Sequence, residues 1–240
     1  VIADGSGNII SGVKSVEGMV VTDCEPIFAD GKLQWIRVKD GEISFEQITD
    51  FKESGTWEIS DRVVEARDPW DGTSDTSWYQ EEKTTFEIST PEQLAGLAEL
   101  VNGGNTFAEK KVLLTNDIFL NDETYSNEWT PMVGWEGTFL GNAYGIYNMY
   151  TTDEASGGLF SSIGENGKVI AVNISQGLLE AGGCIADENY GIIAMCNNYS
   201  YVCGAYSGWE MTGGICNTNY NWVYGCKNYG TVCGSYVGGI

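Results

Sequence analysis

Short apolar segments separated by Gly, Asn and Ser fill the last third of the chain, and they recur at regular intervals. The glycine pairs of GGLF, GGCI, GGIC and GGI begin at positions 157, 182, 213 and 238, which lie 25, 31 and 25 residues apart. A period between about 20 and 50 residues is typical of a solenoid, in which each repeat packs only on its neighbours. The pattern therefore predicts a stack of similar coils over residues 157–240.

The two later repeats align without a gap when residues 191–204 are laid over residues 221–234. The alignment places identical residues on each other: Cys196 on Cys226, Asn198 on Asn228, Tyr199 on Tyr229, Val202 on Val232 and Cys203 on Cys233. The composition favours short strands, and the spaced leucines of leucine-rich repeats are missing. Equivalent residues of stacked strands lie about 4.8 Å apart. We therefore predict an all-β fold, a right-handed parallel β-helix, with a cysteine ladder facing inward and an asparagine ladder at a turn.

Residues 1–68 show no repeat and alternate apolar and polar positions in the segments GMVVTD, KLQWIRV, EISFEQI and TWEIS. Asp-Gly pairs at positions 30–31 and 40–41 mark turns between them. KLQWIRV and EISFEQI predict a hairpin with Leu33, Trp35 and Val38 on one side. We expect residues 1–68 to form a small antiparallel β module or cap, and residues 69–240 to form the β-helix.

One helix is predicted after a strand at residues 84–89 and before the irregular first coils at residues 110–120 and 137–151. Thr90 suits the N-cap and Pro91 the first helical position, and Gln93 at the third helical position completes a capping box. Glycines at positions 103 and 104 end the helix. Its apolar stripe consists of Leu94, Leu97, Ala98 and Val101. Because an open end of a β-helix would recruit strands from other chains, we expect this helix to cap the coils.

The charge of the chain limits its partners. There are 12 Lys and Arg against 34 Asp and Glu, a net charge of −22, which argues against binding nucleic acid or an anionic membrane. The acids are concentrated in residues 1–150, so the repeat region is close to neutral. The sequence shows neither a signal peptide nor a transmembrane run, so we expect no membrane insertion in this part. Both ends look cut, and we expect a piece of a longer protein.

Seven cysteines, six of them between positions 184 and 233, suggest a disulfide framework, a metal site or buried thiols. There is no CxxC pair and no His, which argues against zinc. Since the repeat already explains these residues as small core side chains, we expect buried free thiols, with Cys24 a lone core thiol. The acidic turn at residues 68–79 offers the oxygen ligands that Ca²⁺ prefers but lacks the EF-hand order. We expect a solvated turn there and no metal site.

Six pieces follow one another along residues 70–240: WDGTSDTSWY, FEISTPEQLAGLAELVNGGNTFAEKKVLLTNDIFL, EWTPM, GTFLGNAYGIYNMYT, GGLFSSI and the Gly-Gly-Ile coils with NYG turns. In this order they resemble bacterial cell-surface and secreted proteins with GLUG-type β-helix repeats, many of them large and adhesin-like. The chain departs from that group at Leu140, where Asp is common, and at Ala143 and Tyr144. The resemblance implies an extracellular or bacterial cell-surface location and adhesion to glycans or proteins, with no catalytic residue to transfer.

Parallel β-helices also carry polysaccharide lyases and glycoside hydrolases, which need a basic residue or two carboxylates at a defined separation. Residues 151–240 contain no Arg, and their only lysines are Lys168 and Lys227. The acids Asp187, Glu188 and Glu210 do not recur at equivalent positions of other repeats. We therefore expect a non-enzymatic protein without a cofactor. A carbohydrate-active enzyme and a purely structural stalk stay open as alternatives.

Aromatic side chains and amides are the chemistry that the repeats offer. Flat aromatic faces suit the apolar faces of sugars and dominate protein-binding hot spots, although stacked ladders also stabilise sheets. Residues 205–212 make one repeat longer than the others, and insertions in solenoids often lie on the binding face. We expect a glycan, or a host or bacterial surface protein, to bind at these residues: Trp209, Tyr206, Glu210, Tyr220 and Trp222.

Overall fold

The computed structural model of the chain describes residues 69–240 except 123, 143, 153–156 and 205–210 and, of residues 1–68, only the backbone of seven strands. The chain divides into two compact units, Val1–Glu65 and Ala66–Ile240. The described strands of the first unit are β1 (Ile2–Ala3), β2 (Ile9–Ile10), β3 (Lys14–Val16), β4 (Met19–Val21), β5 (Ile27–Ala29), β6 (Lys32–Lys39) and β7 (Glu42–Gln47).

The described strands of the first unit all pair in antiparallel fashion. Strands β1 and β2 form one pair, while β3, β4, β6 and β5 follow one another in a sheet whose strand β6 also pairs with β7. The predicted hairpin is confirmed, since Lys39 lies opposite Glu42 and the pairing continues to Gln34 and Gln47. The side chains of Leu33, Trp35 and Val38, the TWEIS segment and Cys24 lie outside the described residues.

The second unit contains a helix and a succession of short strands. In chain order these are β8 (Thr85–Ile88), α1 (Pro91–Asn102), β9 (Lys111–Leu114), β10 (Ile118–Phe119), β11 (Thr138–Leu140), β12 (Gly145–Tyr147), β13 (Tyr150–Thr151), β14 (Phe160–Ile163), β15 (Lys168–Ile170), β16 (Asn173–Leu179), β17 (Gly182–Gly183), β18 (Ala186–Asn189), β19 (Ile192–Ala194), β20 (Asn197–Cys203), β21 (Met211–Gly213), β22 (Cys216–Asn219), β23 (Trp222–Tyr224), β24 (Lys227–Asn228), β25 (Thr231–Cys233) and β26 (Tyr236–Gly238).

These strands form four parallel sheets, and the predicted parallel β-helix is confirmed as a solenoid of about five turns. The first sheet has the order β23-β19-β15-β11-β9-β8, and the second has the order β10-β12-β16-β20-β24, with β13 and β25 beside β16 and β20. The third sheet is β14-β18-β22 and the fourth is β17-β21-β26. One coil therefore passes from the third sheet to the first, the second and the fourth before it returns to the third.

The register confirms the gap-free alignment of the later repeats. Asn198 lies opposite Asn228, and Cys203 lies opposite Cys233, as the sequence predicts. The alignment of the glycine pairs is wrong by one residue, because Gly213 lies opposite Gly183 and not opposite Gly182. Two adjacent glycines can be aligned in two ways, so only the strand pairing decides between them.

The core is an apolar column inside the coils. In the first sheet it contains the fully buried Val112, Phe139, Val169 and Ile193, and in the second sheet Ile118, Ile146 and Ile174. Burial of a side chain of this size stabilises a fold by about 1.5–3 kcal/mol. Because each inner residue contacts its equivalents in the coils above and below, the column fixes the strand register and hence the order of side chains on the outside.

Helix α1 connects β8, which lies at the end of the first sheet, to β9. Its predicted apolar stripe is buried in the core, as expected for a helix that closes a solenoid. The Thr90 hydroxyl accepts a hydrogen bond from the Gln93 backbone N–H at 3.3 Å, and the Gln93 side chain accepts one from the backbone N–H of Ser89 at 2.9 Å. Gly104 has a φ of 103° and ends the helix. Across the described part of the chain, no helix has the length and apolar character that a bilayer crossing requires.

The asparagine ladder lies inside the coil, so its predicted position at a turn is wrong. Asn198 is fully buried in β20, where it follows Ile174 of the preceding coil. Its Nδ2 donates a hydrogen bond to Oδ1 of Asn228 at 2.9 Å, and its Oδ1 accepts one from the backbone N–H of Ser200 at 2.7 Å. Because its amide is bonded at both ends, Asn198 can occupy a position that Ile fills in earlier coils.

The cysteines divide into an inner set and an outer pair. Cys184, Cys196 and Cys216 are buried free thiols as predicted, and the backbone N–H of Cys196 donates a hydrogen bond to Sγ of the half-buried Cys226 at 3.4 Å. For the outer pair the prediction of free thiols is wrong, because Cys203 and Cys233 form a disulfide. The strand alternation explains the difference. Val202 is fully buried and points inward, so the next residue, Cys203, points outward. The pair is 4.4 Å apart between Cα atoms of adjacent strands, a separation that a disulfide spans.

Candidate functional site

The carboxylates of the acidic turn before β8 accept hydrogen bonds from the backbone of the same turn. The carboxylate of Asp71 accepts hydrogen bonds from the backbone N–H and hydroxyl of Thr73, at 2.9 and 2.5 Å, and these bonds lower the pKa of Asp71. Asp75 accepts a bond from the backbone N–H of Ser77 at 2.9 Å. Within the described ranges, no three His, Cys, Asp or Glu side chains come together where a metal ion could bind. The turn therefore uses its carboxylates to hold its own conformation.

The predicted binding residues fall into two groups. Trp209, Tyr206 and Glu210 lie outside the described residues. Tyr220 and Trp222 flank the turn from β22 of the third sheet to β23 of the first sheet, and both are exposed. The structure therefore brings two of the five predicted residues together at one corner of the solenoid.

Tyr220 forms a stacked pair with Tyr190, its equivalent in the preceding coil. The ring centroids lie 4.5 Å apart and the planes differ by 9°. The backbone N–H of Tyr220 donates to the carbonyl of Asn189 at 2.9 Å, so the strand register sets the stacking. Tyr190 is 38% exposed and Tyr220 is 60% exposed, so both residues retain surface that a ligand can contact.

Amide side chains hold this corner rigid from beneath. Asn189 is fully buried and donates to Oδ1 of Asn219 at 2.7 Å and to the carbonyl of Trp222 at 3.2 Å. Asn221 donates to the carbonyl of Tyr190 at 2.9 Å. Because these bonds fix the backbone on both sides of the turn, the aromatic rings are presented on a preorganised support.

Trp222 extends the aromatic surface onto the first sheet. It lies opposite Ile192 of the preceding coil and meets Tyr224 edge to face, with 4.6 Å between ring centroids and 64° between planes. Trp222 is 47% exposed, whereas Tyr224 is half-buried. We call Tyr190, Tyr220, Trp222 and Tyr224 the aromatic corner.

Glu188 supplies the charge at the aromatic corner. It lies between Ser162 and Thr218 in the third sheet and next to the hydroxyl of Tyr190. Desolvation, the Glu188 carboxylate and the Tyr220 phenol raise the pKa of Tyr190. Burial also raises the pKa of Tyr224. The corner thus combines flat apolar faces with hydroxyl donors and a carboxylate acceptor. Glu188 was considered from sequence only as a catalytic acid, and its proximity to Tyr190 appears only once the coil is closed.

The remaining charged candidates lie apart or serve the fold. Asp187 accepts a hydrogen bond from Nδ2 of Asn217 at 2.8 Å in the next coil. Lys168 lies in β15 of the first sheet and Lys227 in β24 of the second sheet. The fold therefore places these two lysines on different sheets.

A second row of aromatic residues runs up the outside of the second sheet. Phe119 stacks on Tyr147 with 4.7 Å between centroids and 13° between planes, and Tyr199 stacks on Tyr229 with 4.9 Å and 9°. The latter pair confirms the ladder predicted from the aligned repeats. The strand register places Ser175 between Tyr147 and Tyr199, so one position of the row carries no ring. This position escaped the sequence alignment because the coil that contains it has no matching repeat.

Comparison of the chain with protein families, with curated proteins and with solved structures finds no match. The resemblance to proteins with GLUG-type repeats therefore stays a prediction. A function for this β-solenoid has to be inferred from the residues on its surface.

Proposed function

We propose that this chain is a non-enzymatic, adhesin-type module of a secreted or cell-surface protein, and that it binds glycans through the aromatic corner. The observation that carries the proposal is the exposed Tyr190–Tyr220 stack beside Trp222. Sugar rings present C–H faces that pack on aromatic rings, and their hydroxyls pair with the phenols and carboxylate at the edge.

The charge of the chain favours a neutral glycan. Residues 151–240, which include this corner, hold 7 acidic side chains against 2 basic ones, and this local excess of negative charge disfavours uronic acids and sulfated sugars. The Glu188 carboxylate beside Tyr190 adds to this repulsion locally, whereas it accepts hydrogen bonds from the hydroxyls of a neutral sugar. Neutral glycans on host or bacterial surfaces are therefore the partners that suit this corner.

The proposal is tested by applying the purified chain to a glycan array and then measuring the affinity for the strongest ligand with Tyr220→Ala and Trp222→Ala. We expect each substitution to weaken binding about tenfold or more, as for an interface hot spot. Tyr236→Ala is the matched control, because Tyr236 is also exposed but belongs to the fourth sheet. Circular dichroism and thermal unfolding should be unchanged for all three variants.

Three results would contradict the proposal. An array on which no glycan is retained would remove the glycan-binding function. Retention that survives both substitutions unchanged would move the binding surface elsewhere. Release of reducing ends from the retained glycan during incubation would favour the carbohydrate-active enzyme instead.

A further inference from the structure

The row of rings on the second sheet is interrupted at one coil only, and the interruption has a defined size. Tyr147 and Tyr199 occupy the coils on either side of Ser175. Since neighbouring strands lie about 4.8 Å apart, their rings are separated by about 9.6 Å. This is twice the 4.7 Å and 4.9 Å that separate the stacked rings at the two ends of the row. A flat ring placed above Ser175 would continue the stack with its own spacing.

The floor of this gap is polar. Asn173 and Ser175 point to the same side of β16, and both side chains are half-buried. Nδ2 of Asn197 donates to Oδ1 of Asn173 at 2.8 Å, which fixes both amides beside the gap. The Ser175 hydroxyl and the Asn173 amide lie in the coil between the two aromatic walls, and Asn197 lies in the coil of Tyr199. The hydroxyl and the amide offer polar partners along the edge of whatever ring enters.

The backbone at the end of the gap is held in place. The pairing of β16 with β20 shifts register between Ser175 and Leu178, and Gln176 at this bulge has a φ of 56°. The hydroxyl of Tyr125 donates to the carbonyl of Gln176 at 2.6 Å and anchors the bulge from another coil. Bulges are common beside binding and active sites, where they redirect side chains.

We propose that the gap over Ser175, between Tyr147 and Tyr199, is a subsite for a single neutral pyranose ring. A pyranose has two C–H faces for the aromatic walls and equatorial hydroxyls for the floor, so it satisfies both kinds of surface. An aromatic side chain of a partner protein would match the walls but would not pair with the Ser175 hydroxyl and the Asn173 amide of the floor. The excess of acids over bases in residues 151–240, 7 against 2, disfavours a uronic acid. This subsite lies on the second sheet, away from the aromatic corner, and does not depend on the glycan-binding role proposed for that corner.

The test titrates the ¹⁵N-labelled chain with neutral hexasaccharides of glucose, mannose, galactose and N-acetylglucosamine and follows amide chemical shifts. The amides of Ser175 and Tyr199 report on the gap, and those of Tyr220 and Trp222 report on the corner. We expect at least one hexasaccharide to move the gap amides, and to do so equally in Tyr220→Ala. Failure at the corner is thereby distinguished from failure at the gap.

Ser175→Tyr is the decisive variant, because it places a protein ring where the sugar ring is proposed to bind. We expect it to weaken binding at the gap about tenfold or more. Ser175→Ala keeps the gap open and should lose no more than about fivefold, the contribution of one hydrogen bond. If Ser175→Tyr does not fold, Tyr199→Ala removes one wall and should weaken binding to a similar extent.

Three outcomes would overturn the subsite. The first is that no hexasaccharide at millimolar concentration moves the gap amides. The second is that Ser175→Tyr binds as well as the unaltered chain. The third is that N-acetyltyrosinamide moves these amides while every hexasaccharide fails, which would assign the gap to an aromatic side chain of a protein partner.

Discussion

Removing the disulfide between Cys203 and Cys233 should destabilise the solenoid by an amount that follows from the chain length it closes. The two cysteines are 30 residues apart, one full coil, and join β20 to β25. Closing a loop of this length lowers the entropy of the unfolded chain and is worth about 3.6 kcal/mol at 25 °C in the chain-entropy treatment. Replacing both cysteines with Ser keeps the side chains small and outward-facing, so the loss should come mainly from the unfolded state.

The assay is urea unfolding of the unaltered chain and of the Cys203→Ser/Cys233→Ser double variant, each with and without reductant. We expect the double variant to lose about 3 kcal/mol of unfolding free energy, and reduction of the unaltered chain to give the same loss. Reductant should leave the double variant unchanged, which serves as the control. A peptide map in which Cys203 is alkylated or joined to another residue, or an unaltered chain insensitive to reductant, would refute the reasoning.

Two further substitutions test the packing of the described residues. Gly96→Ala should destabilise the chain by about 1–3 kcal/mol in thermal or urea unfolding, because the added Cβ would lie 2.0 Å from the carbonyl oxygen of Asp75. This loss should exceed the gain of about 1 kcal/mol that Ala brings to a helix. A gain in stability would show that α1 does not pack on this segment. Burial raises the pKa of Cys216 from 9.0 to about 12, so the folded chain keeps a proton that the unfolded chain loses. The stabilising contribution of the protonated Cys216 thiol should be complete below pH 9 and lost as the pH rises towards 12. Over that pH range, Cys216→Ala should lose less unfolding free energy than the unaltered chain. An equal change of unfolding free energy with pH in both chains would contradict the assignment.

The coil architecture was predictable because the repeat signal is long and physical. Residues 191–204 and 221–234 carry the same pattern of inward and outward positions, and stacked strands must keep equivalent positions in register. Helix α1 was predictable for a different reason, since Thr90, Pro91 and Gln93 satisfy its first turn locally. Both predictions depend on interactions between residues that are close in sequence or identical in pattern.

The errors arose where the direction of a side chain depends on strand alternation. Cys196 and Cys203 look equivalent as thiols in one repeat, but only the first faces inward, so only the second can form a disulfide on the outside. Asn198 was assigned to a turn because asparagine favours turns. In the folded chain its amide is satisfied by the next coil, a partner that local preference does not reveal. The gap over Ser175 was hidden because its neighbours in the row are set by register and not by repeat identity.

The inner ladder of the second sheet begins with Ile118, Ile146 and Ile174 and continues with Asn198 and Asn228. Exposure of apolar surface raises the heat capacity on unfolding, whereas exposure of polar surface lowers it. The coils with inner asparagines therefore contribute less to the heat-capacity change of unfolding than the coils with inner isoleucines. Their contribution to the unfolding free energy also depends less on temperature. Burial of hydrocarbon stabilises a fold less on cooling. The stability of the coils with inner asparagines should therefore change less with falling temperature than that of the coils with inner isoleucines.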